Sequence, residues 1–264
     1  MSHQTILTEE SEGLLKITLN RPEAYNAINI QMMEELRTVL LQAERSKTCR
    51  AILLTGAEKA FCSGGDVKFF YENVKKKDSD FMFHRLVSTL HDMILVMKQL
   101  DKPVVAAING PAVGAGFSLA AAADLLVATE SAYFSLGYLK IGLSPDGSST
   151  FFLPRIFGTH KTFELLALGE KLSATEAKNL GLVAKVFSDS SFEEESLKLA
   201  KRLSQLPTKA VGVGKQLIFN SLDHPIETQL NLETQGVKQT AFSQDFFEGI
   251  SAFVEKRSPN FKGE

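Results

Sequence analysis

Hydrophobic positions in the first part of the chain change their period from element to element. Leu15, Ile17 and Leu19 alternate with Lys16 and Thr18, the two-residue rhythm of a half-buried strand, and the turn Asn20-Arg21-Pro22-Glu23 ends it. Ile30, Met33, Leu36, Leu40 and Ala43 then recur at helical spacing. The continuously apolar run Ala51-Ile52-Leu53-Leu54-Thr55 reads as a strand buried on both faces. Strand, helix, strand in that order predicts a parallel pair joined by a crossover.

A polar stretch containing Lys75-Lys76-Lys77-Asp78 precedes a predicted helix over 80–100, with Phe83, Leu86, Leu90, Ile94 and Met97 on its apolar face. The run Val104-Val105-Ala106-Ala107-Ile108 is the next strand, followed by a helix over 115–123, a strand over 125–128 and a short strand at Tyr133-Phe134. From residue 159 onward the pattern turns helical. Ser173-Ala174-Thr175-Glu176 and Ser191-Phe192-Glu193-Glu194 both match the capping box, in which serine and glutamate side chains satisfy free N–H groups at a helix start. The first of these helices should stop at Gly181, before a last strand over Leu182–Val186. Helices over 191–204, 208–221, 226–240 and 243–256 complete the chain, so the sequence divides into a βα core, 1–190, and a helical region, 191–264. Phe242, Phe246, Phe247 and Phe253 give that region too much apolar surface to stand alone, so it should pack on the core or on another subunit.

Length and charge narrow the chemistry. With 264 residues the chain can bury one sizeable core, and its net charge of −2 argues against nucleic acid as the main partner, since phosphate backbones demand a basic surface. Two cysteines, Cys49 and Cys62, give no disulfide framework and fit a reducing compartment. There is no basic-then-apolar leader, and Gly114, Gly116, Asp124 and Glu130 interrupt the one stretch that could approach the roughly 20 apolar residues of a membrane span. A cytoplasmic protein without a membrane partner is expected.

Two glycine-rich turns carry the main chemical signal. Phe61-Cys62-Ser63-Gly64-Gly65-Asp66 and Asn109-Gly110-Pro111-Ala112-Val113-Gly114-Ala115-Gly116 each follow a buried strand, and the second runs into an alanine-rich helix. Such turns bring backbone close to a ligand and can aim two free N–H groups at one oxygen, the geometry of an oxyanion hole.

Together with Leu19-Asn20-Arg21-Pro22, Ala174-Thr175-Glu176-Ala177, Gly181-Leu182-Val183 and Ser251-Ala252-Phe253-Val254-Glu255-Lys256-Arg257, these turns resemble the crotonase, or enoyl-CoA hydratase/isomerase, superfamily over nearly the whole chain. The resemblance implies an α/β spiral of ββα units with a helical carboxyl-terminal oligomerisation region, forming trimers or dimers of trimers. It implies an acyl-CoA thioester as substrate, coenzyme A being part of that substrate, with no separate cofactor and no metal. Carried over, Gly65 and Ala115 donate the two oxyanion N–H groups. Coenzyme A would lie along the first turn, Ser63, Gly64 and Asp66, with Glu23, Ala24, Tyr25 and Lys68 on the adenosine and pantetheine path. Phe253 and Lys256 match positions that reach the nucleotide held by a neighbouring subunit. Taken alone, Lys68 and Lys256 also read as ordinary solvated lysines.

The two glutamates that activate water in hydratases of this family fall on Ser118 and Tyr138, so the ordinary hydration mechanism is not expected; these residues would line the acyl pocket or donate a hydrogen bond. A carboxylate does occur in Ile141-Gly142-Leu143-Ser144-Pro145-Asp146-Gly147, which resembles the Δ3,Δ2-enoyl-CoA isomerase branch, where a lone acid shifts a proton between two carbons. Asp146 is accordingly the expected acid/base for moving a double bond from a 3-enoyl to a 2-enoyl thioester. The same tripeptide, Pro145-Asp146-Gly147, also reads as a plain turn capping the next helix. Alternatives are a hydrolase or dehalogenase using Asp146 as nucleophile or water activator, and a non-catalytic acyl-CoA binder. Cys62 reads as a small buried filler, His84 and His91 as packing or surface residues, Asp124 as a structural pair, and the lysine run as a solvated loop.

Overall fold

The computed structural model describes residues 3–75 and 79–264, so Lys76, Lys77 and Asp78 of the polar stretch lie outside the described residues. Strands β1 (Ile6–Ser11) and β2 (Leu14–Leu19) form an antiparallel hairpin, and helix α1 (Ile30–Arg45) crosses over to β3 (Ala51–Gly56), which pairs parallel with β2 as expected. After α2 (Val67–Lys75) and α3 (Ser79–Gln99) comes β4 (Val104–Ile108). Next follow β5 (Ala112–Val113), α4 (Ala115–Ala121), β6 (Leu125–Thr129) and β7 (Tyr133–Ser135). Helix α5 (Ser149–Leu168), β8 (Leu172–Ser173), α6 (Ala174–Asn179) and β9 (Lys185–Phe187) close the core. Four helices end the chain: α7 (Phe192–Ser204), α8 (Thr208–Asn220), α9 (Ile226–Thr240) and α10 (Gln244–Glu255).

The main sheet runs β1-β2-β3-β4-β6-β9, parallel beyond the first hairpin, and a small sheet runs β5-β7-β8. Side chains alternate across the main sheet, so both faces need cover. Ile17, Ile52, Leu54 and Ala106 join the large core with Met33, Leu36 and Leu40 of α1 and Leu90 and Met97 of α3. Leu53, Val105 and Val127 face the other way, against Phe192 and Ala200 of α7. That two-sided burial is why β3 and β4 are continuously apolar.

Two cations, Lys102 buried and Arg50 half-buried, tie distant segments together. The Lys102 ammonium sits under the carboxyl end of α1, donating to the carbonyl oxygens of Ala43, Glu44 and Ser46, where unpaired acceptors and the helix dipole favour positive charge. The Arg50 guanidinium donates to Thr208 Oγ1 at 3.1 Å and to the carbonyls of Leu206 and Phe261, both at 2.7 Å, and so holds the last residues against the start of β3. Phe242 and Phe253 nevertheless remain exposed, as do Phe246 and Phe247 to a lesser degree, so the core does not cover the apolar face of α10. Among the described residues no helix is long and apolar enough to cross a membrane.

Several elements differ from the sequence expectations. Strand β1 was not anticipated, because only Ile6 of its six residues is buried and no alternation appears. Helix α2 occupies a stretch expected to be a polar connection; none of its residues is fully buried. Helix α5 begins ten residues ahead of the expected helical onset, since Pro154 and a kink at Gly158, φ +77°, break the pattern. The last strand is shifted toward the carboxyl end, with Leu182 and Val183 packing as a buried turn before it. Ser173 forms its capping box, but Ser191 does not: its hydroxyl bonds to Ser188 Oγ at 2.8 Å rather than to α7.

Candidate active site

The first glycine turn is held from two sides. Cys62 pairs with β5, its N–H donating to Pro111 O at 3.1 Å and its carbonyl accepting from Val113 N at 2.9 Å. On the other side Ile28 N–H donates to Gly64 O at 2.7 Å and Asp66 N–H to Ile28 O at 3.1 Å. A parallel bridge uses the two residues flanking its centre, so the N–H of Gly65, between them, points the opposite way. Ala115 is the first residue of α4 and its N–H has no acceptor within the helix. Neither N–H donates to a protein acceptor among the described residues, and both residues line one cavity of about 600 Å³.

Two glycines set the spacing of these donors. Gly64 has φ +98° and a Cβ there would stand 2.8 Å from Val113 O; a Cβ on Gly116 would stand 2.3 Å from Cys62 O. The turn and the helix start are therefore in backbone contact. Cys62 fills the space beneath them, fully buried, with burial pushing its thiol up to about 12, which keeps it un-ionised and inert.

The far wall of the cavity is apolar, with Phe70 of α2 and Phe83 of α3 paired at 4.9 Å between ring centroids and Leu86 and Leu90 beside them. Facing it, Asp146 is the one carboxylate lining the cavity among the described residues. Its burial raises its pKa above the ordinary 3.8, opposed by a 2.7 Å hydrogen bond donated by Tyr138 Oη to Oδ1 and by the nearby His91 imidazole. Tyr138 is itself buried, and that burial, with the Asp146 charge second, holds its hydroxyl protonated well past its ordinary range. Ser118, with no exposed surface, stands 2.8 Å from Tyr138 Oη and 3.0 Å from Asp146 O. The side chain of Asp146 does not cap α5; only its carbonyl does, accepting from Ser149 N–H at 3.2 Å.

Thus Gly65, Ala115, Ser63, Gly64, Tyr138 and Asp146 line one cavity, and Ser118 lies directly behind it. Asp66 is engaged elsewhere: Arg21 Nη2 donates to it at 2.8 Å and it accepts from Phe69 N–H, capping α2. Burial works against its ionisation, but the Arg21 hydrogen bond and charge outweigh it and lower its pKa. Glu23 and Tyr25 line a separate small depression with Lys59 and Ala60, while Ala24 O accepts from Ser63 Oγ at 3.2 Å. Lys68 is exposed on the first turn of α2; Phe253 and Lys256 lie exposed at the end of α10 and do not line the cavity of their own chain. Asp124 forms structural ion pairs with Lys98 and Lys215, each at 2.8 Å.

Two contributors escaped the sequence reading. His91 reaches the cavity and accepts the Gly147 N–H at its Nε2, 3.3 Å away, a contact that helical spacing alone does not reveal. Asn26, buried at φ +57°, donates to Ala57 O and Ala60 O at 3.0 and 2.8 Å and accepts from Arg21 N–H, locking the Arg21 loop onto the first turn. Its side chain suits left-handed backbone, so Asn after Tyr25 was the available signal. Among the described residues no three His, Cys, Asp or Glu side chains gather as a metal site.

An α/β core with two unpaired main-chain donors over an apolar, acid-bearing cavity, followed by a helical carboxyl-terminal region, is a crotonase fold. The chain belongs to the enoyl-CoA hydratase/isomerase family, whose sequence model, Enoyl-CoA hydratase/isomerase, matches residues 9–264. It is 37% identical to the 1,2-epoxyphenylacetyl-CoA isomerase of Escherichia coli, over 98% of each chain. It is 38% identical to a probable enoyl-CoA hydratase of Rhodobacter capsulatus over the full length of both. Among solved structures, an enoyl-CoA hydratase from Polaromonas sp. JS666 superposes with a TM-score of 0.93 at 33% identity, covering 97% of this chain and 99% of that one.

Proposed function

We propose that this enzyme moves a double bond within an acyl-CoA thioester, from the 3-enoyl to the 2-enoyl position, with Asp146 as the proton carrier. Asp146 takes a proton from C2; the electron pair passes to the thioester oxygen, and the N–H groups of Gly65 and Ala115 hold the resulting dienolate. The protonated Asp146 then returns that proton at C4 and the carbonyl re-forms, so no atom is gained or lost. The observation that carries this reading is the lone carboxylate in the cavity, beside Ser118 and Tyr138 where a hydratase would place acids. Water addition needs groups to hold and activate a water; a single half-buried carboxylate suits a transfer between two carbons. Burial supplies the needed basicity by raising its pKa.

Coenzyme A would run from Gly64 past Ser63 toward Glu23 and Tyr25, and the uncovered aromatic face of α10 would be met by a further copy of the chain, as a trimer requires. The test is Asp146→Asn assayed with trans-3-hexenoyl-CoA, following migration and hydration separately by mass. Turnover should fall about 100-fold or more with thioester binding kept; an unaltered rate, or hydrated product from the wild type, sinks the assignment.

A further inference from the structure

The carboxyl group of Asp146 is not free on both sides. Tyr138 donates to Oδ1 at 2.7 Å, and no protein donor among the described residues reaches Oδ2. While Asp146 is ionised, its carboxylate outcompetes the other acceptors of the tyrosine proton, Ser118 Oγ at 2.8 Å and the Asp146 carbonyl at 3.3 Å, because a charge-assisted hydrogen bond is the stronger. Tyr138 Oη can then accept from Ser118 Oγ, 2.8 Å away, so the two hydroxyls donate in one direction, toward the carboxylate. The Asp146 main chain is fixed separately: its carbonyl accepts from Ser149 Oγ at 3.0 Å and from Ser149 N–H at 3.2 Å, and the following N–H goes to His91. With the backbone tied down, rotation of the carboxyl group is stopped by Tyr138 alone.

We infer that the Ser118–Tyr138 hydroxyl pair is a positioning device that reserves Oδ1 of Asp146 and leaves Oδ2 as the single oxygen that carries the proton. This rests on Asp146 being the base. One oxygen then takes the proton from C2 and delivers it to C4 on the same face of the acyl chain. The pair also occupies the ground from which two acids would hold a water, with both hydroxyls spent on each other and on Asp146. Tyr138 thus acts through Asp146, favouring its ionised form by a charge-assisted hydrogen bond and fixing which oxygen faces the substrate.

The test is Tyr138→Phe, which deletes only the hydroxyl, in the full chain with trans-3-hexenoyl-CoA. Removing a donor to the carboxylate raises the pKa of Asp146, so the limb on which kcat rises with pH should move up by about one unit. We expect kcat about tenfold lower at neutral pH with KM within about twofold. Ser118→Ala should shift the limb in the same direction by less. Infrared difference spectra of each variant against its Asp146→Asn counterpart read the same titration without substrate. An unmoved limb and an unmoved carboxylate titration in folded Tyr138→Phe overturn the proposal, and if that variant fails to fold, an unmoved titration in Ser118→Ala does so. Inactive Asp146→Asn beside an unshifted Tyr138→Phe removes only the positioning role; active Asp146→Asn removes the base itself.

Discussion

Gly116→Ala should damage both stability and turnover, because the contact it breaks is backbone on backbone. An alanine methyl at 116 would stand 2.3 Å from the carbonyl oxygen of Cys62 and 2.8 Å from its Cβ and Sγ. That carbonyl accepts the Val113 N–H at 2.9 Å, so it cannot swing aside without loosening the pairing of the first turn with β5. Relief requires α4 and the turn to part by about 1 Å, and a misplacement of that order costs about 100-fold in rate when it falls on catalytic groups. Overpacking of this kind costs about 1–3 kcal/mol of stability, which for a chain of this size lowers the melting midpoint by roughly 2–10 °C. Thermal melting by circular dichroism and turnover of trans-3-hexenoyl-CoA measure both effects. Gly214→Ala serves as the control, since a Cβ there meets nothing within 4 Å in the middle of α8, and it should stabilise by about 0.5–1 kcal/mol. Wild-type melting together with turnover within twofold for Gly116→Ala would refute the view that turn-to-helix spacing sets the oxyanion hole.

Gly65, the proposed donor on the first turn, should behave differently. A Cβ on Gly65 meets the Phe70 ring at 2.5 Å, the far end of a side chain, so Gly65→Ala should alter KM more than stability, and adding Phe70→Leu should restore it in steady-state assays. Asp146→Asn should melt above the wild type at about pH 7 while losing activity. Folding favours the neutral acid, so the contribution of Asp146 is fully present below its ordinary 3.8 and is lost as pH rises through the raised value; a melting difference that grew toward acid would contradict this. For the same reason wild-type turnover should fall as pH drops through that raised value. Lys102→Met should cost about 3 kcal/mol in urea unfolding, by leaving the carbonyls of Ala43, Glu44 and Ser46 without their donor, and a loss below about 1 kcal/mol would show that water replaces it.

Sequence periodicity reports burial, and what could be read from it follows that rule. Strands β3 and β4 are legible because both faces are covered, and α1 and α3 because each presents one apolar stripe to the main core. Strand β1, which buries only Ile6, left no periodic trace, and the apolar stripe of α2, Val67, Phe70 and Val74, is too short to stand out beside the polar residues that follow it. At the site, the two turns and Asp146 stand out through glycine content and family resemblance. The bond between Tyr138 and Asp146 does not, since it depends on how the loop folds back through Gly142, Gly147 and Ser148, all at positive φ. The same is true of His91, whose partner is a main-chain N–H with no residue type to announce it.

The donors proposed for the thioester oxygen belong to the main chain of residues 65 and 115, whereas the proposed proton carrier, Asp146, and the hydroxyls proposed to position it, Tyr138 and Ser118, are side chains. Holding the intermediate and deciding its fate are therefore written on separate parts of the molecule. On that proposal, exchanging three side chains would redirect the reaction without disturbing the peptide groups that hold the enolate. A scaffold divided in this way would be evolvable: small coding changes at three positions would give new activities while the energetically demanding step is inherited intact.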